Sequence, residues 1–168
     1  EMNYIYREPS RFSATTVAGM AYHEALESYF KAQKTGQTLD IANLEMTAFD
    51  YIDDVKSNKW KLQKTTPSID ECRKKASLTV SPLLKNFITK VSTYVDDIAE
   101  ILEIELYCDE FLIVNGVDIP LTCHARIDLV VKTKDGKIAV IDHKSKASYS
   151  DEKELKFSIG KQAITYVK

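Results

Sequence analysis

The chain is poor in the residues that mark several common architectures. Only three of its 168 residues are cysteine, Cys72, Cys108 and Cys123, an odd number and widely spaced. No CxxC occurs, which argues against a disulfide scaffold, a zinc ribbon or an iron–sulfur site built from neighbouring positions. Free, buried thiols in a reducing compartment are the expectation. No apolar run approaches the roughly 20 residues of a membrane-spanning helix, and no signal-peptide pattern opens the chain. No internal repeat, low-complexity tract or Pro/Gly-rich linker divides it. A strong charge of either sign is also missing, the formal net charge being −2.

What remains is an ordinary globular composition, 44% apolar and 29% charged, on a length that suits one domain with a core. The charge is unevenly spread. Residues 126–168 hold ten Lys/Arg against six Asp/Glu, whereas residues 1–125 hold thirteen against nineteen. A basic segment of this kind can meet a phosphate backbone or simply be a solvated surface. The chain begins at "EMNY" and stops inside the helix-like "KQAITYVK", which reads as a piece of a longer polypeptide.

Helical patterns come first. "SATTVAGMAYHEALESYFKAQKTG" has helical periodicity, with Gly36 placed to stop it. "DIANLEMTAFDYIDDVKSNKW" follows with Asp40 as N-cap. "SIDECRKKASLTV" then leads into "SPLLKNFITKVSTYVDDI", where Ser81 and Pro82 are the pair expected at a helix start. Near residue 100 the pattern becomes strand-like, punctuated by turn signals at Asn115–Gly116 and Lys134–Gly136. Helix returns for "DEKELKFSIGKQAITYVK". The reading is α+β, a single domain over 1–168 with a helical part at 1–99 and three or four strands plus a helix at 100–168.

The second turn places three charges among apolar residues. With Thr133 facing Lys137 across a three-residue loop, Asp128 lies opposite Asp142, Cβ atoms roughly 5 Å apart. Lys144, two positions on, shares that face, while Ile127, Leu129, Val131 and Ile141 point to the other. Alternation turns the His143 side chain away and leaves its backbone carbonyl near the acids. Two half-buried carboxylates so close repel unless compensated. A divalent cation is one remedy, and hard oxygen donors suit Mg²⁺ or Mn²⁺. A cross-strand Asp–Lys ion pair on an exposed face is the other.

"ID" at Ile127–Asp128 followed by Asp142–His143–Lys144 resembles the signature of the PD-(D/E)XK nuclease superfamily. "GMAYHEALE", Gly19 to Glu27, is similar to the GxxxHxxLE helix of its RecB-like branch, and "QAITY", Gln162 to Tyr166, to the QxxxY helix of the same branch. The three stand in family order. The resemblance implies a restriction-endonuclease-like core, a mixed or antiparallel sheet flanked by helices. It implies Asp128, Asp142, His23 and the His143 carbonyl as ligands of one or two Mg²⁺ or Mn²⁺ ions, Lys144 as the residue serving the attacking water, and Gln162 and Tyr166 near substrate. Glu27 reads either as a group orienting His23 or as a solvated helix carboxylate. Glu103 and Glu105 share one strand face by parity, and Glu105 is the one preferred near the metal. The sequence departs from the family before the first acid, where "HAR" replaces the usual glycine; His124 shares the face of Asp128 by parity, although packing explains it as well.

The expected activity is hydrolysis of phosphodiester bonds in DNA, as an exonuclease on single-stranded or duplex ends in repair, recombination or replication. A helicase, primase or similar module is the expected context, in the cytoplasm or, for a virus-encoded protein, in the host cell, with no membrane involved. The alternatives are a cap-snatching type of RNA endonuclease and a nuclease-like fold that binds nucleic acid without cutting.

Overall fold

The computed structural model describes residues 10–114 and 117–144, with the backbone alone at 92, 108–114 and 117–125. The Asn115–Gly116 turn, the segment holding Gln162 and Tyr166, and the side chains of Cys108, Cys123 and His124 lie outside the described residues. The chain divides into two compact units, with the break between Ile98 and Ala99.

The first unit is helical. Helix α1 spans Ala14–Lys34 and begins at Ser13, whose Oγ accepts the Thr16 N–H at 3.2 Å. Its end follows the expected signal. Gly36 takes φ +74°, a left-handed conformation that strains residues with a Cβ. The Gly36 N–H then reaches the Gln33 carbonyl and the Gln37 N–H the Ala32 carbonyl, so the last carbonyls of the helix find donors beyond its end. Helix α2, Ile41–Asp54, starts as expected at Asp40, whose side chain and Asn43 cap each other's backbone N–H groups.

Helix α3 differs from the sequence reading. It runs unbroken over Ile69–Lys90 from a Ser68/Glu71 capping box, with Pro82 inside it. Ser81 is not an N-cap; its hydroxyl bonds the Glu45 carboxylate on α2. The helix continues because its apolar stripe continues: Cys72, Ala76, Val80, Leu84 and Phe87 are all buried. Proline removes one i→i−4 bond, here to the carbonyl of Leu78. Leu78 is 67% exposed, so water can take that carbonyl. Burial on one face outweighs one lost bond on the other.

Each of the three helices packs on the other two. Ala18, Ala21 and Ala25 of α1, Ala48 of α2 and Ala76 of α3 are fully buried, small enough for close approach of the axes. Larger groups, Val17, Leu44, Ile52 and Leu84, fill the spaces between. Cys72 is buried and carries a free thiol, as expected.

Phe87 lies edge-on to Tyr22, Tyr29 and Phe30, with centroids 6.5, 5.2 and 6.1 Å away. Tyr94 belongs to a short helix, α4, Ser92–Val95. Burial, reinforced by Tyr22 and Tyr29, pushes the Tyr94 phenol far above the ordinary tyrosine value. The folded unit therefore holds this proton more tightly than the unfolded chain does. The resulting stability is present below about pH 10 and is lost as pH rises toward the folded-state value. On alkaline titration, the phenolate absorbance that disappears in Tyr94→Phe is expected to emerge together with the loss of helical circular dichroism. Ionisation of Tyr94 at ordinary tyrosine pH with the helices intact would contradict this.

The second unit holds one sheet with strand order β1-β2-β3: β1 Ile98–Val114, β2 Val117–Thr133 and β3 Ile138–Ile141. Strands β2 and β3 are antiparallel, with Leu129 opposite Ile141 and Val131 opposite Ala139. This is the register expected from Thr133 facing Lys137, and the Thr133 N–H donates to the Lys137 carbonyl at 2.9 Å. Gly136, at φ +84°, supplies the left-handed residue of the three-residue turn. Lys137, and then Thr133, hold the exposed Asp135 carboxyl below its usual range. Ile127, Leu129 and Val131 are buried, and the residues between them are not. The architecture is α+β.

Candidate active site

The acids of the second unit are carried by β1, β2 and the segment that leaves β3. On β2 the alternation that buries Ile127 and Leu129 turns Arg126 and Asp128 to the opposite face. The Asp128 side chain is only 12% exposed. On β1, Glu105 has φ +55°, the one non-glycine residue in the left-handed region among those described. For a residue with a Cβ this is an unfavourable conformation inside a strand. It interrupts the alternation that would give Glu103 and Glu105 equal standing: Glu103 is exposed, whereas the Glu105 side chain is 11% exposed. A carboxylate oxygen of Glu105 comes within 4.8 Å of one of Asp128.

Beyond Ile141 the paired ladder stops, one step before Asp128 and Asp142 would face each other. The next residues are then free of strand alternation. Asp142 accepts the Lys144 ammonium at 2.9 Å, and the lysine is half exposed. The His143 N–H donates to Asp128 Oδ2 at 2.7 Å. The imidazole turns the same way, with Nδ1 3.7 Å from that oxygen. This corrects the alternation argument, which sends the His143 side chain away from Asp128. Alternation holds only while a strand is a strand.

Two carboxylates in near contact need compensation. Arg126 Nε donates to Glu105 Oε2, and the His143 amide meets Asp128. Arg126 thus holds Glu105 through Oε2, and the His143 amide holds Asp128 through Oδ2. Carboxylate oxygens are hard donors of the kind Mg²⁺ and Mn²⁺ prefer, so the residues present fit such an ion. Arg126 is the residue that sequence reasoning left without a role. The available signal was its place two positions before Asp128, on the same face.

In the first unit, His23 stands half-buried on α1, edge-on to Tyr22 at 6.0 Å. One helical turn on, Glu27 Oε1 accepts the Lys31 ammonium at 2.6 Å. This i, i+4 pair orients the carboxylate along the helix. Gln162 and Tyr166 fall outside the described residues. No described helix is long and apolar enough to cross a membrane.

An α+β chain that sets close carboxylates on a sheet beside an acid–lysine pair has the equipment of a phosphodiester hydrolase. The family model of the PD-(D/E)XK nuclease superfamily matches residues 1–168, and the chain belongs to that superfamily. No curated protein and no solved structure matches it.

Proposed function

We propose that this chain is a Mg²⁺- or Mn²⁺-dependent deoxyribonuclease of the RecB-like branch, acting on strand ends in repair, recombination or replication. The observation that carries the reading is the Glu105–Asp128 pair, two sheltered carboxylates side by side in a member of a nuclease superfamily. Asp128 and Glu105 would hold the ion together with Asp142, the His143 carbonyl and His23. An imidazole and carboxylates make a donor set suited to these cations. When bound, the cation supplies Lewis acidity toward water and toward the phosphoryl oxygens.

The chain's own residues do the rest. The His143 amide holds Asp128 through Oδ2 and so sets how that carboxylate is turned. Asp142 holds the Lys144 ammonium at the end of the sheet, half in solvent, where it can orient a water toward phosphorus. Gln162 and Tyr166 would contact the nucleic acid, and Glu27 would steady the helix face that presents His23. A helicase, primase or recombination module is the context that suits an end-directed activity.

The test is cleavage of labelled single-stranded DNA, duplex DNA and RNA with Mg²⁺ or Mn²⁺. Metal-dependent cutting of DNA is expected, lowered about 10²- to 10⁴-fold in Lys144→Ala. Undiminished cutting by that variant would overturn the role of Lys144. Preference for RNA would move the protein to the RNA endonucleases. Binding without cutting, with either metal, would make it a binding module.

A further inference from the structure

Beside the acid pair lies a cation that the proposed chemistry does not use. Arg126 Nε donates to Glu105 Oε2, and the exposures of the two side chains are 60% and 11%. The guanidinium thus has one edge on a sheltered carboxylate and much of its surface in solvent. That carboxylate also lies within 4.8 Å of Asp128. Arg126 shares its strand face with Asp128, so the arginine, the glutamate and the aspartate form one continuous row on the sheet.

The backbone of Glu105 adds a second observation. Its φ of +55° is adopted by few residues other than glycine, and nothing about a plain strand position calls for it. That conformation coincides with a side chain that bonds Arg126 and comes within 4.8 Å of Asp128. The strained residue is the one at the centre of the row.

We infer that Arg126 is a positioning residue with two alternating partners: Glu105 in the metal-free site, and a backbone phosphate of the nucleic acid once the ion is bound. The inference rests on the metal-dependent reading above. Before the ion arrives, the guanidinium offsets the repulsion between Glu105 and Asp128 and competes with the ion for Glu105. A divalent ion on the same carboxylates repels the guanidinium toward solvent. There the two non-bridging oxygens of a phosphate diester can accept both arms of the planar guanidinium fork, a match that lysine lacks. Arg126 would thereby weaken metal binding in the free protein and strengthen nucleic-acid binding in the loaded one.

These opposite signs make the test. Mn²⁺ affinity is measured by electron paramagnetic resonance of the intact chain, Arg126→Met and Arg126→Lys, without nucleic acid. Affinity for a fluorescein-labelled single-stranded DNA oligomer is measured in Mn²⁺ on a Lys144→Ala background, which suppresses cleavage, as a function of salt. Arg126→Met is expected to bind Mn²⁺ several-fold more tightly, to bind the oligomer more weakly, and to lose about one unit of the salt slope, as for a phosphate contact. Arg126→Lys should fall between the two on both measures. A merely structural arginine would weaken both affinities or neither. Mn²⁺ affinity unchanged or lowered in both variants overturns the inference, and so does an unchanged salt slope. If the intact chain binds no Mn²⁺, the metal reading fails, whereas tight Mn²⁺ binding with no change on substitution fails Arg126 alone.

Discussion

Asp128→Asn is expected to lower metal-dependent cleavage by at least about 10³-fold. Removing a single group that stabilises transition-state charge already removes about 10²–10³ in rate, and Asp128 would also hold the ion. Losing a residue that only orients a ligand weakens metal binding about 10- to 100-fold. A true ligand should exceed that range in a direct Mn²⁺ titration. The change keeps shape and leaves an amide oxygen to accept the His143 N–H, now 2.7 Å from Oδ2. It also removes the repulsion with Glu105, so thermal stability should hold steady or rise. Loss of activity together with loss of stability would point to a structural carboxylate instead. Cleavage within about tenfold of wild type would remove Asp128 from the chemistry.

The largest effect on stability is expected from Phe87→Ala. Phe87 is 6% exposed and touches three aromatic rings from α1. Truncating a buried phenylalanine costs about 3–5 kcal/mol, from lost transfer energy and the cavity left behind. Its neighbouring core positions on α3, Leu84 and Val80, lie one and two turns away. With urea m-values of about 1–3 kcal/mol/M for small proteins, the unfolding midpoint should drop by roughly 2 M. Phe87→Leu, closer in volume, should cost less than about 1.5 kcal/mol. Equal effects of the two substitutions would show that ring packing is not what holds α1 to α3.

Features that depend on local chemistry were legible in the sequence. The Lys134–Gly136 turn predicts its own register, because a three-residue loop with a left-handed glycine leaves Thr133 and Lys137 face to face. Gly36 and Asp40 mark helix ends for similar reasons of backbone geometry and capping. Pro82 misled, because proline weighs on a helix only through one carbonyl. The apolar stripe that outweighs it, Cys72 to Phe87, becomes visible only when the segments on both sides are read as one helix.

The site divides along the same line. Asp128 and its exposed face follow from alternation on β2. Parity cannot separate Glu105 from Glu103, because it assumes regular strand dihedrals and no glycine announces the left-handed backbone at Glu105. The His143 orientation was hidden for another reason: alternation extends a strand indefinitely, and only the folded chain reveals where the ladder ends.

That ending matters more than its length suggests. Thr133 donates to Lys137, so bond exchange recurs at every second pair: Val131 with Ala139, Leu129 with Ile141, and next in turn Ile127 with His143. Had β3 continued, the His143 amide would have been tied to its neighbour's carbonyl. By breaking off at Ile141, the hairpin releases one backbone proton, and that proton clamps an aspartate instead. A truncated strand here serves as a side-chain anchor.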